Sequence, residues 1–239
     1  MKVESPFQME VEGLRLRSTV DDVVIPNPVI RQSTELRDFL MEPDSAEPER
    51  PILSVYRGVF ARRDLDLFGR TRYDVTVVLP GRLGRERNKT LSHYHNDFMP
   101  GLSYPEVYEV LAGTGHFILQ RPPERGGPEV IVYEASEGEG ILIPPNYGHV
   151  AINPSKETLV YSNLICSCVE PSLEEFRKTH GAAYYELYDG TLVRNPMYGW
   201  KVEPIMRRGD PSLHDVYHQF TSEPGRFRFL EDPTILARG

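Results

Sequence analysis

Cysteine is nearly absent from this chain. Two residues, Cys166 and Cys168, do not suggest a disulfide framework. Long apolar runs are missing as well: none approaches the ~20 residues a membrane-spanning helix needs. The opening MKVESPFQMEVEG carries charge too early for a signal peptide. Positive charge is in deficit, with a formal net charge of −8 at pH 7, which argues against long-range attraction to nucleic acid or to an anionic membrane. A soluble cytoplasmic protein with no nucleic-acid and no membrane partner is expected. Uninterrupted helical patterns are scarce too. Twenty-one prolines and 19 glycines spread through the 239 residues favour turns and short strands. There is no sequence repeat and no low-complexity tract.

The chain divides into three regions. Residues 1–50 look like an N-terminal arm. Within it TELRDFL (34–40) is a short helix candidate, and MEPDSAEPERP (41–51) reads as an acidic, proline-rich linker or surface loop. From about residue 52 the pattern changes to strands. LSVYRGVF, YDVTVVLP, PEVYEVLAG, HFILQRP, EVIVYEA, GILIPP and TLVYSNLIC are short, rich in β-branched and aromatic residues, and separated by turn signals. Such spacing predicts a sandwich or barrel over 51–200. SLEEFRKTH (172–180) predicts a helix with a capping box, Ser172 as N-cap and Glu175 three residues on. SLHDVYHQF (212–220) is a further helix candidate, inside a C-terminal extension of residues 201–239.

The chemistry concentrates in one stretch. His93 and His95, one residue apart in LSHYHND, share a face if the backbone is extended. Glu106 follows in PEVYEVLAG, and His149 lies two strands later in GILIPPNYGHVAIN. A closed sheet can gather these side chains. Three imidazoles and one carboxylate would leave open positions for substrate on a six-coordinate Mn, Fe, Co or Ni ion. Asp97, two residues beyond His95, is a rival to Glu106, while Glu109 would face the other side of Glu106's strand. The basic run Arg82, Arg85, Arg87 and Lys89 reads as a solvated face placed to help attract a phosphate. His116, His180, His214 and His218 read as surface or capping residues, and Cys166 and Cys168 as sharing a strand face.

Two patterned segments resemble the two motifs of the cupin superfamily. The first is His93-x-His95, then Glu106, then Gly113 after six intervening residues. The second is Gly138-x5-Pro144-x4-His149-x3-Asn153. Asn146 stands at the second motif's inner glycine, and asparagine tolerates the positive φ such a turn uses. The Glu106-to-Gly113 distance favours Glu106 over Asp97 as the ligand. The gap from His95 to Glu106 is longer than in typical cupins, so roughly NDFMPGLSYP must bulge out as a loop. The resemblance implies an all-β fold: a cupin β-barrel (double-stranded β-helix or jelly roll) with an N-terminal arm and a few short helices.

Within that superfamily, VTVVLPGRLGRERNKTLSHYH, PEVYEVLAGTGHFILQRP and ILIPPNYGHVAIN resemble the cupin-type glucose-6-phosphate isomerases found mainly in archaea. The resemblance covers about residues 73–165, and GTLVRNPMY (190–198) resembles that family's C-terminal end. It implies that His93, His95, Glu106 and His149 bind one divalent metal ion (Fe, Mn, Ni or Zn). It further implies that Thr76, Thr90 and the backbone near Ser92 hold the sugar phosphate, and that Tyr108 lines the sugar pocket. Ser92 replaces the family's glycine before HYH. The aromatic and histidine residues that the family carries after its last barrel strand have no clear counterpart in ICSCVEPSLEEF.

The implied reaction interconverts glucose 6-phosphate and fructose 6-phosphate through a cis-enediol(ate). Glu106 is the candidate base, provided one of its oxygens can leave the metal. A metal-assisted hydride shift would use the same residues without a base, and both routes stay open at this level. Alternatives are another metal-dependent cupin enzyme, a dioxygenase or a mannose-6-phosphate isomerase, and a non-catalytic sugar-binding cupin. A dioxygenase has no use for Thr76 and Thr90. Related cupins pair, so a homodimer is expected.

Overall fold

Runs of β-branched and aromatic residues build two sheets that face one another across a shared interior. The structure, a computed structural model, describes residues 1–45 and 48–237. Positions 46 and 47 of the expected linker lie outside the described residues. The strands that shape the molecule are β1 (Met9–Glu12), β2 (Arg15–Ser18), β3 (Val29–Gln32), β4 (Pro51–Arg57), β5 (Thr71–Val78) and β6 (Glu106–Ala112). They continue with β7 (Thr114–Arg121), β8 (Glu129–Ser136), β9 (Gly140–Ile143), β10 (Gly148–Ile152), β11 (Leu159–Cys166) and β12 (Ile205–Arg208). One sheet has the order β9–β6–β11–β5–β4–β3 and the other β10–β7–β8–β12. Neighbours run antiparallel except β12, which lies parallel to β8. This is the cupin barrel that the two motifs imply. Among the described residues no helix is long and apolar enough to cross a membrane.

Every residue of β6 and β11 is buried, because the larger sheet is covered on both faces. Alternate residues point into the barrel, where Tyr108, Val110, Phe117, Leu119 and Tyr161 pack together. The opposite face carries Tyr73, Val75, Val107 and Leu164. The first and last parts of the chain cover it with Phe7, Met9, Val11, Tyr217 and Phe220. Tyr217 is 0% exposed. Its ring centroid is 4.5 Å from that of Phe7 and 5.1 Å from that of Tyr73. Its hydroxyl donates to Asp64 at 2.9 Å and accepts the Ala61 N–H at 2.9 Å.

The helices depart from their sequence expectations at the edges. Ser33–Phe39 forms a 3-10 helix. The expected capping box at 172–180 does not form. Pro171 and Ser172 pair as a short strand with His95 and Tyr94, so α1 (Glu174–Lys178) begins one residue later than expected, with Leu173 as N-cap. α2 (Val216–Ser222) occupies the last part of the 212–220 candidate, after a 3-10 turn at Pro211–Leu213. Its first N–H groups, from Asp215 and Val216, donate to the Glu109 carboxylate. Glu109 therefore faces away from Glu106, as strand alternation predicts. β10 was not among the expected strands. It opens on Gly148, where a Cβ would come within 2.6 Å of the Tyr94 ring.

The cysteines also differ from expectation. β11 ends at Cys166 and Cys168 lies in the following turn, so they do not share a strand face. The turn brings their Cα atoms to 5.2 Å, and the sulfurs are joined in a disulfide.

Candidate metal centre and substrate pocket

Backbone pairing gathers the three histidines. His93 and His149 face each other in an antiparallel bridge, with the His93 N–H donating to the His149 carbonyl at 3.1 Å and the reverse bond at 3.0 Å. Their ring centroids lie 4.3 Å apart. His95 is held by the short pairing with Pro171. Glu106 opens β6 and points inward, its Oε2 3.4 Å from Nε2 of both His95 and His149. One ligand atom from each of the four residues lies within 4.8 Å of the others. The insertion after His95 leaves the barrel as a hairpin, Asp97–Met99 with Leu102–Ser103. It carries Asp97 to the surface, paired with Arg125 at 2.6 Å, so Asp97 is no ligand candidate here. Asn146 takes the positive φ that the motif's glycine position requires, 73°, and bonds to Ser103 and Gly101 of that hairpin.

The donor set suits a divalent cation. Nδ1 of His93 and of His95 sit 3.0 and 2.8 Å from the carbonyls of Leu91 and Tyr104. Carbonyls only accept, so both Nδ1 atoms carry the proton and each Nε2 presents a lone pair. His95 Nε2, His149 Nε2 and Glu106 Oε2 are buried with no hydrogen-bond partner. Unpaired buried polar atoms are rare and costly, and three converging on one point are explained by a cation.

Electrostatics hold His93, His149 and Glu106 in the ligating form. Burial pushes the His93 imidazole down to about 3, and the neighbouring His149 and His95 rings add to the shift. Burial also lowers His149. For Glu106 burial works upward, but the facing His149 and His95 imidazoles outweigh it and hold the carboxyl well below the usual range. A histidine whose folded value is depressed gains its proton on unfolding, so acid favours the unfolded chain. The metal-free protein is therefore expected to lose stability as pH falls from 6.5 toward about 3. Loss of the ionised Glu106 acts in the same sense below 4.5. Melting curves in EDTA across this range check the prediction, and a flat profile would contradict it.

A cavity of about 140 Å³ opens beside the cluster. Thr76, Thr90 and Tyr108 line it along with His93, His95 and Glu106. Ser92 does not line it: its Oγ is buried without a partner. The basic run is not one solvated face. Lys89 is 4% exposed and paired with Glu86, and Arg87 reaches Glu186 at 3.1 Å. Those two charges are already paired and are not placed to draw in a phosphate. His116 is not a surface residue either; it is half-buried between Glu186 and Glu134. His180 is half-buried and takes a left-handed conformation just after α1, while His214 and His218 are exposed.

Residues 32–202 match the family model described as glucose-6-phosphate isomerase (GPI). The chain belongs to the glucose-6-phosphate isomerase family. Its similarity to individual members is modest. It is 27% identical to the glucose-6-phosphate isomerase of Thermococcus gammatolerans over 166 residues, covering 67% of this chain and 78% of that one. It is 28% identical to the Pyrococcus abyssi enzyme over 159 residues, covering 64% and 78%. Among solved structures it is similar to oxalate decarboxylase from Bacillus subtilis, at 16% identity and a TM-score of 0.35, over 47% of this chain and 25% of that one.

In this member of the isomerase family, the pocket also contains polar residues that the sequence reading did not single out. Arg72 and Asp74 precede Thr76 on β5, and Asn163 follows Tyr161 on β11. The signal was available, since Arg72, Asp74 and Thr76 alternate on one strand, as do Tyr161 and Asn163. What hid it was burial on both faces of these strands, complete along β11 and broken only at Arg72 in β5, which blurs the inward and outward faces.

Proposed function

We propose that this chain is a metal-dependent isomerase that interconverts glucose 6-phosphate and fructose 6-phosphate through a cis-enediol(ate). One observation carries the reading: four ligand atoms within 4.8 Å stand at a pocket that Thr76 and Thr90 also line. His93, His95, Glu106 and His149 would hold one divalent ion, Fe, Mn, Ni or Zn. When bound, such an ion polarises the C1 and C2 oxygens and stabilises the charge that develops there. Thr76 and Thr90, with the backbone near Ser92, hold the phosphate through hydroxyl and N–H donors, since phosphate oxygens only accept. Tyr108 walls the sugar and meets His149 edge to face at 5.7 Å, keeping water from the reacting carbons. Glu106 takes the proton from C2 and returns it at C1. The same reading places a homodimer in the cytoplasm, built from the arm (1–50), the barrel (51–200) and the extension (201–239).

The test is conversion of fructose 6-phosphate to glucose 6-phosphate by purified protein. Activity is expected to vanish in EDTA and return with Mn²⁺, Fe²⁺, Ni²⁺ or Zn²⁺. A saturating ion at about 100 times its Kd should also stabilise the fold by about 2.7 kcal/mol, visible as a higher melting temperature. Activity that survives exhaustive chelation would remove the metal from the reading. No conversion with any ion would remove the isomerase.

A further inference from the structure

The sheet register places Asn163 in the middle of the pocket floor. It pairs with Tyr108 on one side and with Asp74 on the other. Glu106 lies opposite Ile165 and Thr76 opposite Tyr161. Asn163 is therefore one strand and two residues from Glu106, and the same again, in the same sense, from Thr76. Each step is about 8 Å, at about 4.8 Å per strand and 3.3 Å per residue. A molecule reaching from the metal cluster to Thr76 crosses Asn163 at its midpoint.

Asn163 is 6% exposed and lines the cavity. Its amide has no hydrogen bond to any other described residue. The neighbours do not require it. Asp74 is already satisfied by Arg72 Nε–H at 2.9 Å and by the Gly58 N–H at 2.9 Å, and the Tyr108 and Tyr161 rings lie against each other at 5.0 Å. The amide therefore faces the cavity with its donors and acceptor uncommitted, open to a molecule bound there. Two N–H donors and one carbonyl acceptor match alcohols, which both donate and accept. They are a poor match for a bare anion or a cation.

We propose that Asn163 is a specificity-determining residue that binds the hydroxyl groups on the carbons between the reacting carbonyl and the phosphate. The proposal rests on the isomerase reading of the same pocket. It assigns the ligand class as a polyhydroxylated chain carrying a terminal phosphate.

The experiment compares wild type with Asn163→Leu by calorimetry on manganese-loaded protein. The ligands are glucitol 6-phosphate, which has no carbonyl to isomerise, and inorganic phosphate. Asn163→Leu is expected to weaken glucitol 6-phosphate at least about tenfold, the worth of one lost hydrogen bond. Inorganic phosphate should stay within twofold. The melting temperature should hold or rise, since the amide that is removed makes no hydrogen bond within the fold and faces the cavity. Asn163→Ala repeats the comparison if leucine overpacks the site. Equal weakening of both ligands, unchanged glucitol 6-phosphate binding, or a fall in melting temperature in both variants would overturn the proposal. Fructose 6-phosphate turnover by wild type separates the two ideas. Binding that depends on Asn163 without turnover removes the isomerase and keeps this inference. Turnover with binding indifferent to Asn163 does the reverse. No binding of glucitol 6-phosphate by wild type removes the inference whatever the turnover.

Discussion

Glu106→Gln is expected to fold, keep part of its metal, and lose roughly 10² to 10⁴-fold in kcat, the span general acid–base catalysis supplies. Glutamine preserves the shape of the side chain and one ligating oxygen. It cannot accept a proton at neutral pH. In the native protein the facing imidazoles of His149 and His95 overcome burial and keep Glu106 ionised, the form the proposed proton transfer needs. Metal content by elemental analysis and turnover by a coupled assay read the two effects separately. Solvent exchange adds a third observation. Proton transfer through Glu106 carries solvent deuterium into the product to the extent that the carboxyl exchanges its proton before returning it, whereas a hydride shift between carbons carries none. Full metal retention with near-normal turnover would exclude Glu106 as the base.

Lys89→Met should cost about 3–5 kcal/mol, the range for breaking one side of a buried ion pair. Lys89 and Glu86 are 4% and 2% exposed. The Lys89 ammonium is paired with Glu86 Oε2, donates to the Phe39 carbonyl at 2.8 Å, and lies 5.5 Å from the centre of the Tyr185 ring. Glu86 also accepts the Met41 N–H at 2.7 Å, tying the segment after the first 3-10 helix to the barrel. Methionine fills the volume but strands the Glu86 charge away from water. Adding Glu86→Gln, which keeps an acceptor for Met41, should recover more than half of the loss. Urea denaturation of the single and double variants checks this. A single variant within about 1 kcal/mol of wild type would show that Glu86 finds water or another cation, because exposed pairs are worth no more than that.

The barrel and the four-residue cluster that could hold a metal were legible for different reasons. Seven of the central strands announce themselves because β-branched and aromatic residues cluster between turn residues. The cluster announces itself because its four residues sit at motif spacing. That spacing also decided between Glu106 and Asp97, and the outward hairpin that carries Asp97 off explains why. Less legible was anything set by pairing between distant segments. Ser172 has the chemistry of an N-cap, but its backbone joins Tyr94 instead. Lys89 and Arg87 look solvated in sequence, but in the fold the distant Phe39 carbonyl accepts from Lys89 and the distant Glu186 pairs with Arg87. Asn163 reads as a polar residue lost in an apolar strand until the register sets it between Tyr108 and Asp74.

Tyr217 has a consequence for how this chain reaches its native state. The aromatic ring that seals the outer face of the larger sheet enters more than 150 residues after the Ala61 backbone it caps. Contacts of that sequence separation carry a large loop-closure cost and slow the search for the native topology. During synthesis, which adds about 5–20 residues per second, the barrel strands leave the ribosome with that face covered only by the early residues Phe7, Met9 and Val11. Phe7 and Tyr73 then lack the Tyr217 ring that packs on both. The nascent chain is most prone to aggregate in this interval, and folding ends only when the last part of the chain closes over the first.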